Sequence, residues 1–173
     1  MSDVGVSEQH KAIIEQMQTD RGWIVNSFAQ IEFLLADTIV RCREFPEYAE
    51  LTAKMPYRLD QRVSRFADMV EADGPLSIER NALRQVVANF RGAEERRQFL
   101  VHGFCTFFHT PSGDTAMRFD RFMPAKDDDA LKRSMWFRPK TLKEIREQVI
   151  AETAFGLDTL RLLHQQFGWE SVI

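Results

Sequence analysis

Cysteine is scarce in this chain, charge is nearly balanced, and no export or phosphate-binding signature is present. Two cysteines, Cys42 and Cys105, fall short of a disulfide framework and fit buried free thiols in a reducing cytoplasm. A net charge of −3 sets up no global field that would draw nucleic acid or an anionic membrane to the surface. Any such attraction must be local, and residues 52–103 do hold nine Lys/Arg against seven Asp/Glu. The opening Met1-Ser2-Asp3-Val4-Gly5 lacks a basic patch followed by an apolar run. No apolar stretch is expected to approach the ~20 residues that span a bilayer, so a cytosolic protein without membrane contact is expected. A Gly-rich phosphate loop, a His-Glu-x-x-His helix and a Gly-x-Ser-x-Gly elbow are also missing, which removes the commonest nucleotide hydrolases, zinc peptidases and α/β-hydrolases.

Apolar and aromatic residues, by contrast, are plentiful. Hydrophobic residues make up 44%, with 14 Phe and 3 Trp, enough for a sizeable core, and the 173 residues suit a single domain over 1–173. Helical spacing dominates. Ile13, Ile14 and Met17 share one face over 7–18. Ile24, Phe28, Ile31, Leu35, Thr38 and Cys42 recur at steps of three and four over about 20–44. Asp20 is placed to cap the second stretch, and the two pieces form either one helix or a pair bent near Thr19–Gly22. Phe45-Pro46 ends the run. Leu59, Val63, Phe66 and Val70 mark a helix of about 57–72, and Asp73-Gly74-Pro75 is a turn. Ser77 is then expected to cap a third helix with the stripe Leu83, Val86, Val87, Phe90, Ala93, Arg97 and Leu100 or Val101. Arg97 lies on that apolar line, where a charge is costly unless it is paired or opens onto a cleft.

The pattern changes after Gly103. Phe104–Thr110 is aromatic and β-prone, Pro111-Ser112-Gly113-Asp114 is a turn, and Thr115–Met123 reads as a returning strand. Ser134–Arg138 supplies a third, beyond the polar Lys126-Asp127-Asp128-Asp129. Thr141-Leu142-Lys143-Glu144 matches a capping box, and Leu142, Ile145, Val149, Thr153, Leu157, Leu160, Leu163 and Phe167 line a last helix of about 141–168. The expected fold class is mainly α, with a small antiparallel β insertion at about 104–138 between the last two helices.

The chemistry concentrates in Arg97-Gln98-Phe99-Leu100-Val101-His102-Gly103, at the end of the third helix. This string resembles the signature of the HEPN superfamily, an Arg, a polar residue and a His at a spacing of four to six, often followed by Gly. The resemblance covers the motif closely and the helical layout loosely. It implies an up-down bundle of four to five helices, usually dimeric, with two motifs facing one cleft. Many members cleave RNA without a metal or other cofactor; others have lost or never had that activity. Toxin and phage-defence roles, sometimes with an antitoxin partner, belong to the same resemblance. Family toxins inactivated by nucleotide transfer carry a Tyr two residues after the His. Phe104 stands there and has no hydroxyl, so that control is not supported.

The physical logic of the pair is concrete. Attack by a 2′-hydroxyl needs a base, an acid for the departing 5′-oxygen, and positive charge on the phosphorane oxygens. Histidine titrates near neutrality and can move the protons. The planar fork of arginine matches phosphate oxygens. His102 is thus the expected proton-transfer residue and Arg97 the phosphate-stabilising one. Gln98 and Arg96 are auxiliary, and Glu32 on the first long helix is the expected partner that orients Arg97. One motif carries one histidine, so two proton transfers imply two chains.

A purely structural alternative stays open, in which Arg97 pairs with a carboxylate, His102 caps carbonyls and Gly103 ends the helix. A non-catalytic module binding RNA, a nucleotide or a protein partner is the competing hypothesis. His102, Cys105 and His109 fall short of the usual four-ligand metal set. The aromatic group Phe104, Phe107, Phe108, Phe119, Phe122, Trp136 and Phe137 could stack bases, although packing is the commoner use of such residues. Trp23 and Trp169 are expected in the core or at a dimer contact.

Overall fold

The computed structural model describes residues 8–110, 112–123 and 131–169. It is mainly helical, with six α-helices among the described residues and a three-stranded antiparallel sheet. The helices are α1 (Glu8–Arg41), α2 (Ala49–Thr52), α3 (Leu59–Glu71), α4 (Arg80–Gly92), α5 (Glu94–His102) and α6 (Pro139–Gln166). The strands β1 (Phe104–His109), β2 (Thr115–Met123) and β3 (Leu131–Phe137) lie in the order β1-β2-β3, between the last two helices as expected. The acidic run Asp127-Asp128-Asp129 lies outside the described residues.

The first helix is one piece and runs unbroken through Thr19–Gly22. Asp20 therefore caps nothing. It sits mid-helix with its carboxylate buried, accepting hydrogen bonds from Arg146 Nη1 at 2.6 Å and Gln16 Nε2 at 2.9 Å. Over Glu8–Glu44 the chain is, by length and composition alone, long and apolar enough to cross a membrane, which corrects the expectation of a shorter run. Of the most apolar window, 44% is buried within the protein, and the core helix of a soluble protein has the same character.

The third expected helix, by contrast, is subdivided. A 3₁₀ turn at Pro75–Glu79 precedes α4, and Ser77 makes no capping bond there. Ala93 then separates α4 from α5 with its N–H donating to Asn89 O. Gly92, a poor helix former, stands just before this break. Phe90, Ala93, Arg97 and Leu100, all expected on one stripe, are each buried. Helix α6 starts at Pro139, two residues before the expected Thr141 box. Proline suits a first helical turn because its missing N–H has no partner there anyway.

The chain clusters into two compact units, one comprising Met1–Asn26 and Glu94–Ile150, the other Ser27–Ala93 and Ala151–Ile173. In the first, Met117, Phe119 and Phe137 form the covered face of the sheet, and Phe119 meets Phe137 edge-on at 5.7 Å. Gly113 turns the β1–β2 hairpin at φ +97°, a backbone region that disfavours other residues. In the second unit, Phe28, Ile31, Leu35, Phe66, Leu83 and Leu160 are buried. Gly156 lets α6 approach Ile31 closely, since a Cβ there would lie 2.7 Å from Ile31 Cδ1. Tyr48 is fully buried and its hydroxyl accepts the Leu76 N–H at 2.9 Å. His164 is buried 3.9 Å from an Asp37 carboxylate oxygen, with Trp169 edge-on to its ring at 5.2 Å.

Tyr48→Phe leaves a buried donor without that acceptor and should cost about 1–3 kcal/mol in urea unfolding. His164 titrates below its ordinary 6.5, first because burial disfavours the charged ring, then because Arg41 repels it; Asp37 opposes both. The unfolded chain therefore binds this proton more readily. Stability is whole above pH 6.5 and falls as the pH drops below it. Unfolding titrations of His164→Gln should show a shallower loss between neutral pH and the acid range.

Candidate functional site

Helix α5 carries the Arg-to-His motif, and its local sequence explains its form. Glu94 and Glu95 occupy the first turn and His102 the last, each sign suited to the partial charge of its helix end. Five residues of helix separate Arg97 from His102, about 140° of rotation and about 7.5 Å of rise. The two side chains therefore leave the helix on different faces. Arg97 points inward and is 3% exposed, whereas His102 is exposed.

Burial of Arg97 is matched by a paired fork. Its Nε donates to Glu94 Oε2 at 2.9 Å and its Nη2 to Glu94 Oε1 at 3.0 Å. Gln98 Nε2 donates to the same Glu94 Oε1. Glu94 keeps 38% of its side chain exposed. Two parallel charge-assisted bonds are the geometry that an arginine also offers to phosphate.

Of the expected residues, Gln98 shares the Glu94 carboxylate with Arg97. Arg96 is half-buried and reaches Gln148 Oε1 only at 3.5 Å. Glu32 is half-buried on α1 and belongs to the other compact unit. Gly103 does not act as a left-handed cap, because its φ is not positive. Its N–H donates to Phe99 O at 2.8 Å. A Cβ at this position would lie 2.5 Å from Phe99 O and 3.0 Å from Phe119 Cβ. Glycine is needed here for close approach of helix to sheet.

Arg21 is a neighbour that motif reading does not find. Its Nε donates to Leu100 O at 2.8 Å, satisfying one of the carbonyls left open at the end of α5. Its guanidinium stands 5.0 Å from the Phe119 ring centroid. A fixed cation is thereby added to the helix end that bears His102. The contact spans 79 positions, so the local spacing held no sign of it.

Neither thiol is a prepared nucleophile. Burial, with a smaller contribution from Glu44, pushes Cys42 up to about 12, and burial raises Cys105 against the opposing charge of Arg21. Among the described residues no three His, Cys, Asp or Glu side chains group as metal ligands. The aromatic set divides. Phe119 and Phe137 are buried, while Phe104, Phe108, Phe122 and Trp136 are exposed. Trp23 is exposed as well, so it is not a core residue, and Trp169 packs against Phe45 and Phe167.

Gly103→Ala should lower stability by about 1–3 kcal/mol, because backbone rather than a flexible side chain must yield; thermal unfolding measures the shift directly. In comparison with known proteins, no family model, curated protein or solved structure gives a significant match to this chain.

Proposed function

We propose that the chain is a HEPN-like, metal-independent endoribonuclease that works as a homodimer, with His102 transferring protons and Arg97 stabilising the phosphorane. The observation that carries the proposal is the exposed imidazole of His102 at the end of a helix whose arginine is held in a bidentate carboxylate fork. In the resting chain Glu94 occupies the position that a phosphate would take. Substrate enters by exchanging one anion for another on a guanidinium that is already oriented, which limits the ordering cost. Arg21 adds positive charge at the same helix end. Two copies supply the acid and the base, and cleavage leaves a 2′,3′-cyclic phosphate and a 5′-hydroxyl. A toxin or defence role in the cytosol, with an antitoxin as partner protein, goes with such an activity.

The burial of Arg97 favours a second reading, in which the fork only neutralises a buried charge and the module binds RNA without cutting it.

Incubation of the purified protein with RNA in EDTA separates the two. Cleavage should fall at least about 100-fold in His102→Ala, the scale of a lost acid–base group. Glu94→Gln, which weakens the carboxylate's hold on the fork, should lower KM for RNA. Intact RNA that remains bound to the wild-type protein would establish the binding module instead.

A further inference from the structure

The uncovered face of the sheet holds a second set of groups that the His102 region does not use. Strand alternation and pairing put Phe104 and Phe108 of β1, Arg118 and Phe122 of β2, and Lys132 and Trp136 of β3 on this side. Four of the six are large aromatic rings left in water, with Phe104 74% exposed, Phe122 69% and Trp136 51%.

The cations are arranged around the rings. The Arg118 guanidinium stands 4.7 Å from the Phe108 centroid and 5.5 Å from that of Trp136, within cation–π range. The two rings are 4.8 Å apart at 49°. Asp120 holds Arg118 at 3.0 Å and Lys132 at 3.2 Å, so both cations are oriented but partly neutralised. A groove of about 680 Å³ runs beside Phe108 and Trp136, and His109, Arg138 and Lys140 also line it, with Asp114 as its one carboxylate.

We propose that this face binds a single-stranded segment of RNA. Bases stack on Trp136 and Phe108, and again on Phe104 about 13 Å along β1, while Arg138 and Lys140 take phosphates. The proposal rests on the ribonuclease reading for the identity of its ligand. Charge decides between RNA and a second copy of the chain. A twofold contact through this face brings Arg118, Arg138 and Lys140 towards their own counterparts, like charge near like charge. An RNA strand meets the same groups with anions.

The test uses the full chain carrying His102→Ala and a labelled 12-nucleotide 2′-O-methyl oligouridine, which lacks the attacking hydroxyl. Anisotropy titrations should show Kd weakened about tenfold by Trp136→Ala, equivalent to about 1.4 kcal/mol, and restored by Trp136→Phe. Arg138→Gln with Lys140→Gln should reduce the slope of log Kd against log salt by about 1.4, at about 0.7 per phosphate contact. Unchanged affinity in both Trp136→Ala and Phe108→Ala, or no binding by the parent, overturns the proposal. So does a Trp136→Ala change that appears in self-association by sedimentation and not in RNA affinity. Cleavage by the wild-type chain alongside unchanged sheet-variant affinity overturns only the stacking face. Sheet-dependent affinity without cleavage supports that face and overturns only the nuclease.

Discussion

A guanidinium on the inward side of a short helix is the constraint from which the motif's geometry follows. An unpaired arginine cannot be taken out of water cheaply, and Glu94 one turn earlier answers with both carboxylate oxygens. Gln98 also donates to that carboxylate. With Arg97 directed inward, helical rotation alone turns His102 to the surface. Gly103 and Arg21 complete the arrangement, one by admitting the sheet close to Phe99 and the other by engaging an open carbonyl.

Much of the fold was legible because it rests on periodicity. The stripes of α3, α4 and α6 needed only steps of three and four, and the switch to β after Gly103 needed only the aromatic-rich composition and the turn residues that follow. The costly position of Arg97 was visible for the same reason, as a charge interrupting an apolar line. What stayed hidden depends on distant partners. Asp20 has the chemistry of a cap, yet Arg146, 126 positions away, makes it a buried acceptor. The expected stripe positions on both sides of the break at Ala93 are buried, so periodicity carried no mark of it. One local pair also escaped notice, since Glu94, three residues before Arg97, grips its guanidinium. Arg21 could be found only in three dimensions.

The aromatic residues after Gly103 show the limit of composition as a guide. Alternate positions of a single strand serve opposite purposes, so Phe119 is fully buried while Phe122, three residues on, faces water. Burial preference alone assigns both to packing. Register decides, and register is a property of the paired strands. A chain with net charge −3 can still gather cations locally, as Arg118, Arg138 and Lys140 do around exposed rings.

The two thiols have a practical consequence. Thiolate is the form that attacks maleimides and peroxides, and burial holds both sulfurs mainly protonated at neutral pH. The native chain should therefore tolerate handling without reductant. A cysteine introduced on an exposed surface should then react with a spin probe or fluorophore faster than either native thiol.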